Sequence, residues 1–97
     1  MRANKAEIER FKRHILVVDE CWVWTGAKDQ SGYGQFKFRG AKRRTHRWIY
    51  EALNGDLPED LYIDHLCRNR ACVRPAHLEV VTPAENNRRG TMYRGRT

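Results

Sequence analysis

The sequence predicts a small α+β domain that needs a bound metal ion for its stability. Its 97 residues allow one domain at most. A chain this short buries only about 60–65% of its unfolded surface, and such domains often depend on disulfides or a metal. Helical periodicity at the start of the chain gives way to short strand patterns. The chain has three cysteines, and this odd number favours metal binding over a disulfide framework.

The first part of the chain predicts a helix followed by a β-hairpin. Apolar side chains at helical spacing predict an amphipathic helix over residues 5–15, within an N-terminal segment that ends at residue 20. Residues 21–26 predict a short strand. Residues 33–39 alternate aromatic or small residues with polar ones, which predicts a half-exposed strand. Gly40 then turns the chain into a basic run, so we expect a hairpin with basic side chains on one face.

A second helix follows the hairpin and completes the segment that ends at residue 60. Thr45 is the predicted N-cap of a helix over residues 46–54, which carries an apolar stripe. Asn54 and Gly55 end this helix. His46 and Arg47 open it and could reach a bound substrate.

Residues 61–90 predict a strand, a loop, a second strand and a helix. The expected bounds are 61–65, 67–75, 78–82 and 83–89. The last helix has the best-supported start, because Thr82 and Glu85 form a capping box with Pro83 at the first helical position. Gly90 ends it, and residues 91–97 form a basic tail that is expected to be mobile until it meets a partner.

Three candidate zinc ligands lie within eleven residues. Cys67, Cys72 and His77 follow one another at C-x4-C-x4-H spacing. A closed structural zinc site is tetrahedral, and Cys21 is the natural fourth ligand because it is the remaining cysteine. Such a site would join the N-terminal strand to the C-terminal half of the chain. Two alternatives stay open: buried cysteines beside a surface histidine, or a His77 that assists a neighbouring catalytic site.

A second group of polar residues lies among the zinc ligands. Asp64 and His65 end a predicted strand, and Asn86 lies on the first turn of the last helix. Carboxylate and amide oxygens suit Mg²⁺ or Mn²⁺, and a neutral histidine can remove a proton from water. Such a base needs an acceptor for its other ring nitrogen, and we expect a carbonyl of the Cys67–Cys72 loop to serve. Taken alone, an Asp-His pair is usually a surface strand end.

The charge of the chain favours a nucleic-acid partner. The formal net charge is +7 and the isoelectric point is about 9.8. Basic residues cluster where acids are absent, and a two-stranded ribbon fits the major groove of duplex DNA. The predicted contacts to DNA are Lys37, Arg39, Lys42, Arg43, Arg44, Arg47, Arg88 and Arg89. For any one of them, a merely solvated charge is about as good an interpretation.

The sequence gives no sign of a membrane protein. It contains no apolar run near the length of a membrane span, and its charged start lacks the apolar core of a signal peptide. We therefore expect it to act in the cytoplasm.

The stretch DHLCRNRACVRPAHLEVVTPAENN, from Asp64 to Asn87, resembles the HNH endonuclease superfamily of ββα-metal (His-Me finger) nucleases. The likeness is to the His-Cys-box homing branch, and the upstream segments CWVWTGAKDQSGYGQFKF and THRWIYEALNG resemble small phage HNH proteins. It implies a zinc-stabilised ββα-metal domain with an N-terminal helix and hairpin. The implied roles are general base for His65, catalytic-metal ligands for Asp64 and Asn86, and zinc ligands for Cys21, Cys67, Cys72 and His77.

The resemblance implies a phage- or prophage-encoded DNA endonuclease that leaves 5′-phosphate and 3′-hydroxyl ends. One motif supplies one cutting site, so a double-strand break needs two visits or two copies, for which a homodimer is one arrangement. Related sequences often carry Asn where this chain has Arg74, and His77 is nearest to the middle Asn of the family name. Two rival hypotheses are a catalytically silent zinc-stabilised DNA-binding module and a structural RNA-binding protein.

Overall fold

The computed structural model describes residues 2–92, in three helices and six short strands. The helices are α1 (Lys5–Lys12), α2 (Thr45–Asn54) and α3 (Pro83–Met92). The strands are β1 (Ile15–Val18), β2 (Cys21–Trp24), β3 (Gln35–Phe38), β4 (Ala41–Arg44), β5 (Tyr62–His65) and β6 (Leu78–Val81). A short 3₁₀ helix, Pro75–His77, precedes β6. The predicted basic tail lies outside the described residues from residue 93 onward.

The six strands form three antiparallel hairpins, β1–β2, β3–β4 and β5–β6. Arg39 and Gly40 both have positive φ, 50° and 85°, in the two-residue turn of β3–β4. That geometry matches the twist of the flanking strands, and glycine adopts it without strain. The predicted hairpin with its turn at Gly40 is confirmed, and all four residues of β4 are exposed.

The first helix is shorter than the sequence predicts. It ends at Lys12, and Ile15 and Leu16 lie in β1, opposite Trp24 and Val23 of β2. The prediction of helix to residue 15 was wrong because the run of branched apolar residues from Ile15 onward also favours a strand. Pairing with β2 satisfies its backbone, which helical spacing alone could not reveal.

Of the two predicted helix N-caps, one is wrong and one is confirmed. Thr45 was predicted as the N-cap of α2, and this was wrong, because the helix begins at Thr45 itself and Arg44 is the flanking residue without a side-chain cap. Thr45 is fully buried, and its backbone N–H donates to the Gly34 carbonyl at 2.9 Å. The cap of α3 is confirmed, since the Thr82 hydroxyl accepts from the Glu85 N–H at 3.1 Å. That helix continues past Gly90 to Met92.

An aromatic cluster fills the core between the helices and the hairpins. Phe11 is completely buried, and its ring centroid lies 4.6 Å from that of Trp48, 4.8 Å from Trp24 and 5.1 Å from Phe36. These rings come from α1, α2, β2 and β3. Aromatic side chains bury large areas, so this one cluster joins the N-terminal half of the chain into a single core.

The third hairpin and the last helix form the ββα unit. β5 pairs with β6 so that Asp64 lies opposite Glu79 and His65 opposite Leu78. Helix α3 follows β6 after one residue and contacts β5. The predicted small α+β fold is confirmed. No helix in residues 2–92 combines the length and the apolar character needed to cross a membrane.

Replacing Phe11 with Ala should destabilise the protein by about 3–5 kcal/mol, because it removes a fully buried ring that three other rings contact. The measurement is urea unfolding followed by tryptophan fluorescence, with zinc present. Leu53→Ala is the matched control, since that side chain is 59% exposed. Equal unfolding midpoints for the two variants would contradict the assigned core.

Candidate metal and catalytic site

The four predicted zinc ligands come together in the structure. The ligand atoms of Cys21, Cys67, Cys72 and His77 all lie within 4.8 Å of one another. His77 Nδ1 is 3.5 Å from the sulfur of Cys21 and 3.5 Å from that of Cys72. In a tetrahedral zinc site with ordinary bond lengths, sulfur and nitrogen ligands lie about 3.6 Å apart. The group therefore fits a zinc ion in both ligand type and spacing.

Backbone pairing explains how a cysteine 46 positions earlier in the chain reaches this cluster. The Trp24 N–H donates to the Ala71 carbonyl and the Val73 N–H donates to the Trp22 carbonyl, both at 2.8 Å. These bonds place β2 beside residues 71–73, which brings Cys21 close to Cys72. Next to Cys67, the Leu66 N–H donates a hydrogen bond to the His77 carbonyl, also at 2.8 Å, which brings Cys67 close to His77.

The thiol chemistry of the cluster favours a bound cation. Burial, together with hydrogen bonding to Cys72 and Cys67, raises the pKa of the Cys21 thiol to about 12. Three thiolates at such short distances repel one another, and a divalent cation removes that penalty because it binds the deprotonated form. His77 points its Nδ1 at two of the sulfurs, so the structure groups it with the cysteines.

Asp64, His65 and Asn86 line one small cavity of about 120 Å³. Asp64 and His65 are buried at the end of β5, with 7% and 5% of their surfaces exposed. Neighbouring strand residues normally face opposite sides, but the strand ends at His65 and turns into the Cys67 loop. Asn86 reaches the same cavity from the first turns of α3. The three residues of the predicted catalytic group therefore share one space.

The orientation of His65 is fixed by one hydrogen bond. Its Nε2 lies 3.0 Å from the carbonyl oxygen of Cys72, in the loop where an acceptor was expected. A carbonyl accepts only, so Nε2 carries the hydrogen and donates, and Nδ1 of the neutral ring is left as an acceptor. Burial lowers the pKa of His65, although the bond to Cys72 acts in the opposite direction. The ring is therefore neutral at neutral pH.

Two arginines hold the carboxylate of Asp64. Oδ1 pairs with Arg68 Nη1 at 2.7 Å, and Oδ2 pairs with Arg89 Nη1 at 2.9 Å. Arg89 also pairs with Glu79 of β6 and, at 2.7 Å, with Glu85 of its own helix. This network fastens α3 to both strands of the hairpin. Since Arg89 lies three residues after Asn86, both are on the helix face directed at β5.

Four further residues line this cavity and were not assigned to it from the sequence, namely Tyr33, Ile63, Arg68 and Arg70. His46, which was expected to reach a bound substrate, lies beside His65 with ring centroids 4.7 Å apart. Arg68 and Arg70 lie between Cys67 and Cys72 in the sequence, so their position next to the predicted ligands could have indicated that they line the site. Tyr33 carried no local signal, because it reaches the site only through the tertiary fold. Its ring lies under the guanidinium of Arg44, at 4.2 Å, and that of Arg70, at 5.1 Å.

The predicted DNA contacts fall into two groups. Lys37, Lys42 and Arg43 are exposed on β3 and β4, and no ion pair among residues 2–92 involves them. The other five already have partners within the chain. Arg39 pairs with Glu7, Arg44 with Asp29, Arg88 with Glu85, Arg89 with three carboxylates, and Arg47 donates to the carbonyls of Leu57, Pro58 and Leu61. DNA contact by any of the eight stays a prediction.

His77→Ala should remove tightly bound zinc, because a tetrahedral site loses one of its four ligands. Metal analysis of the wild-type protein should find about one zinc per chain, and the variant should hold far less and unfold more easily. The matched control is His14→Ala, since His14 packs beside Trp24 and lies outside the ligand group. If the His77 variant kept its zinc but lost only a catalytic activity, the histidine would belong to the neighbouring site instead.

Comparisons with known proteins show what this chain is similar to in sequence. Residues 43–88 match the sequence model of a family described as HNH endonuclease. Protein 7.7 of Escherichia phage T7 is 34% identical over 70 residues, which are 72% of this chain and 54% of that protein. Protein 2.8 of the same phage is 31% identical over 88 residues, 90% of this chain and 58% of that protein.

An uncharacterized HNH endonuclease of Acanthamoeba polyphaga mimivirus is 32% identical over 59 residues, 60% of this chain and 31% of that protein. The chain spans somewhat more than half of the length of the two phage relatives. No solved structure matches it. The matched segment contains Asp64, His65, Asn86 and three of the four clustered metal ligands. Residues 43–88 of this chain are therefore similar to the HNH endonucleases, and most of the chain is similar to two proteins of phage T7.

Proposed function

We propose that this protein is a metal-dependent DNA endonuclease in which His65 is the general base. The observation that carries the proposal is the cavity shared by Asp64, His65 and Asn86, with His65 held through Nε2 by the Cys72 carbonyl. That bond leaves Nδ1 unprotonated, which is the state a base needs. The likeness of residues 43–88 to the HNH endonuclease family supports the same reaction class.

In the proposed reaction, His65 Nδ1 takes a proton from a water molecule as the water oxygen attacks phosphorus. The new oxygen–phosphorus bond forms while the bond to the 3′ oxygen breaks, and the leaving oxygen takes a proton from solvent water, which leaves a 5′-phosphate and a 3′-hydroxyl. Burial of His65 supports this role, because it keeps the ring neutral and ready to accept a proton. General-base help of this kind contributes roughly 10²- to 10⁴-fold to the rate.

Asp64 and Asn86 are the proposed ligands of a catalytic Mg²⁺ or Mn²⁺. Their oxygens are of the type that these ions prefer, and both side chains line the cavity that His65 faces. Such an ion, when bound, neutralises charge that develops on the phosphate oxygens and on the leaving oxygen. Arg68 and Arg70 line the same cavity, and their positive charge favours entry of a phosphate group.

The proposed role of Cys21, Cys67, Cys72 and His77 is to bind a structural zinc. All four donors are used in closing the tetrahedron, so no position is left for substrate. The fit of the four ligand atoms supports this assignment. A zinc held there would fix the loop that carries the carbonyl partner of His65.

A second candidate function is a silent DNA-binding module of the same fold. One observation favours it: both oxygens of Asp64 are already paired with guanidinium groups, of Arg68 and Arg89. A divalent ion at Asp64 would have to replace at least one of these pairs. The rival predicts DNA binding without cleavage in any divalent ion.

His65→Ala should reduce plasmid nicking by roughly 10²- to 10⁴-fold, because it removes the base without removing a metal ligand. Nicking is measured with Mg²⁺ and with Mn²⁺, and DNA affinity is measured alongside. His14→Ala is the histidine control and should nick at the wild-type rate. The silent-module hypothesis would be correct if wild type and His65→Ala bound DNA equally and neither cut it.

The double variant Lys42→Gln, Arg43→Gln should bind duplex DNA more weakly, because two exposed charges that can reach phosphates are lost. The slope of log affinity against log salt should fall by about 1.8, as expected for two phosphate contacts. Fluorescence anisotropy in the His65→Ala background measures binding without cleavage. Lys12→Gln, Arg13→Gln at the end of α1 makes the same change of charge elsewhere. The same loss in both pairs would mean that net charge, and not the β3–β4 hairpin, determines binding.

A further inference from the structure

His46 is a second histidine at the proposed active site, and the proposed mechanism gives it no role. It opens α2 and only 7% of its surface is exposed. Its ring stacks on Tyr33, with centroids 5.1 Å apart and planes 22° apart, and lies 4.7 Å from the ring of His65. A polar ring buried this deeply normally has hydrogen-bond partners.

The two ring nitrogens of His46 differ in their surroundings. Nδ1 is enclosed and has no hydrogen-bond partner in residues 2–92, whereas Nε2 is not among the enclosed unpaired atoms. The small exposed part of the side chain lines a cavity of about 490 Å³. Buried N–H donors without a partner are rarer than unpaired acceptors, so Nδ1 is the unprotonated nitrogen and Nε2 carries the hydrogen.

Burial fixes the protonation state of this histidine. Desolvation, followed by the influence of His65, lowers the pKa of His46 to about 3. The neutral ring can donate one hydrogen bond without adding a charge next to the base. It therefore does not compete with His65 for the proton of the attacking water.

The cavity at His46 adjoins the catalytic one. Tyr33, Ile63 and Asn86 line both. A polynucleotide with one phosphate beside His65 must continue on either side of it, and the larger cavity offers such a path. Arg44 and Arg47 also line the larger cavity, together with one carboxylate, Glu59, and guanidinium groups are common contacts of a phosphate backbone.

We propose that His46 Nε2–H donates a hydrogen bond to a backbone phosphate oxygen of the bound DNA strand, beside the scissile group. This inference rests on the proposed function, because it assigns a substrate contact within the same site. It makes His46 a residue that touches substrate and is distinct from the base. The Tyr33 ring that stacks on it holds the imidazole plane in place for this contact.

The test compares His46→Phe, which keeps a ring for packing, with His46→Gln, which keeps an N–H donor. Single-turnover nicking at saturating DNA with Mg²⁺ should fall roughly 10- to 100-fold in the Phe variant, because a hydrogen bond to a charged oxygen is lost. The Gln variant should recover at least half of that loss on a logarithmic scale. Zinc content and unfolding midpoints identify variants that remain folded. If the Phe variant fails to fold, His46→Leu replaces it.

The outcomes separate this inference from the function on which it rests. An active wild type with an inactive His65→Ala, together with a Phe variant that nicks at the wild-type rate, would overturn the assignment of His46 alone. So would a folded Gln variant as slow as the Phe variant, because an N–H donor at this position would then not restore the lost activity. A wild type that does not nick DNA at all would overturn both proposals.

Discussion

The structure depends most on Cys72, which takes part in both clusters at once. Its sulfur lies in the group of four zinc-type ligands, and its carbonyl accepts the hydrogen bond from His65 Nε2. The residues on either side of it pair with β2, and the side chain is fully buried. Whatever holds the Cys72 backbone in place therefore also sets the orientation and the tautomer of the proposed base. The proposed zinc at the cysteines and the proposed chemistry at His65 would therefore be coupled through one residue.

Stabilisation by polar clusters suits a short chain with a small hydrophobic core. The aromatic cluster around Phe11 joins the N-terminal elements, while the ββα unit has few large apolar side chains of its own. The β5–β6 hairpin and α3 are instead stabilised by polar groups. These are the cysteine and histidine cluster on one side and the ion pairs of Arg89 on the other. Arg89 is partly exposed and pairs with three carboxylates, of which Asp64 is buried. The proposed catalytic cavity is bordered by Arg89 and by His65, whose ring is bonded to the carbonyl of Cys72.

Much of the site could be predicted because its signals are local in sequence. The spacing of Cys67, Cys72 and His77 and the capping box at Thr82 need no tertiary information. The failures had tertiary causes. Ile15 joined a strand because β2 was there to pair with it, and Thr45 is buried under Gly34 instead of capping its helix. Tyr33 reaches the cavity from a segment that no local pattern links to it, so its place in the site was visible only in the fold. His46 was expected to reach a bound substrate, but its contact with the ring of His65 required the fold.

The central claim is that the Cys72 carbonyl fixes His65 as a base with a free Nδ1. The most direct measurement is long-range ¹H–¹⁵N NMR of the imidazole ring of His65 in the zinc-loaded protein near neutral pH. We expect a neutral ring with its hydrogen on Nε2 and an Nδ1 chemical shift typical of an unprotonated nitrogen. A hydrogen found on Nδ1, with Nε2 bare, would contradict it, because the nitrogen aimed away from the Cys72 carbonyl would then have no lone pair with which to accept a proton.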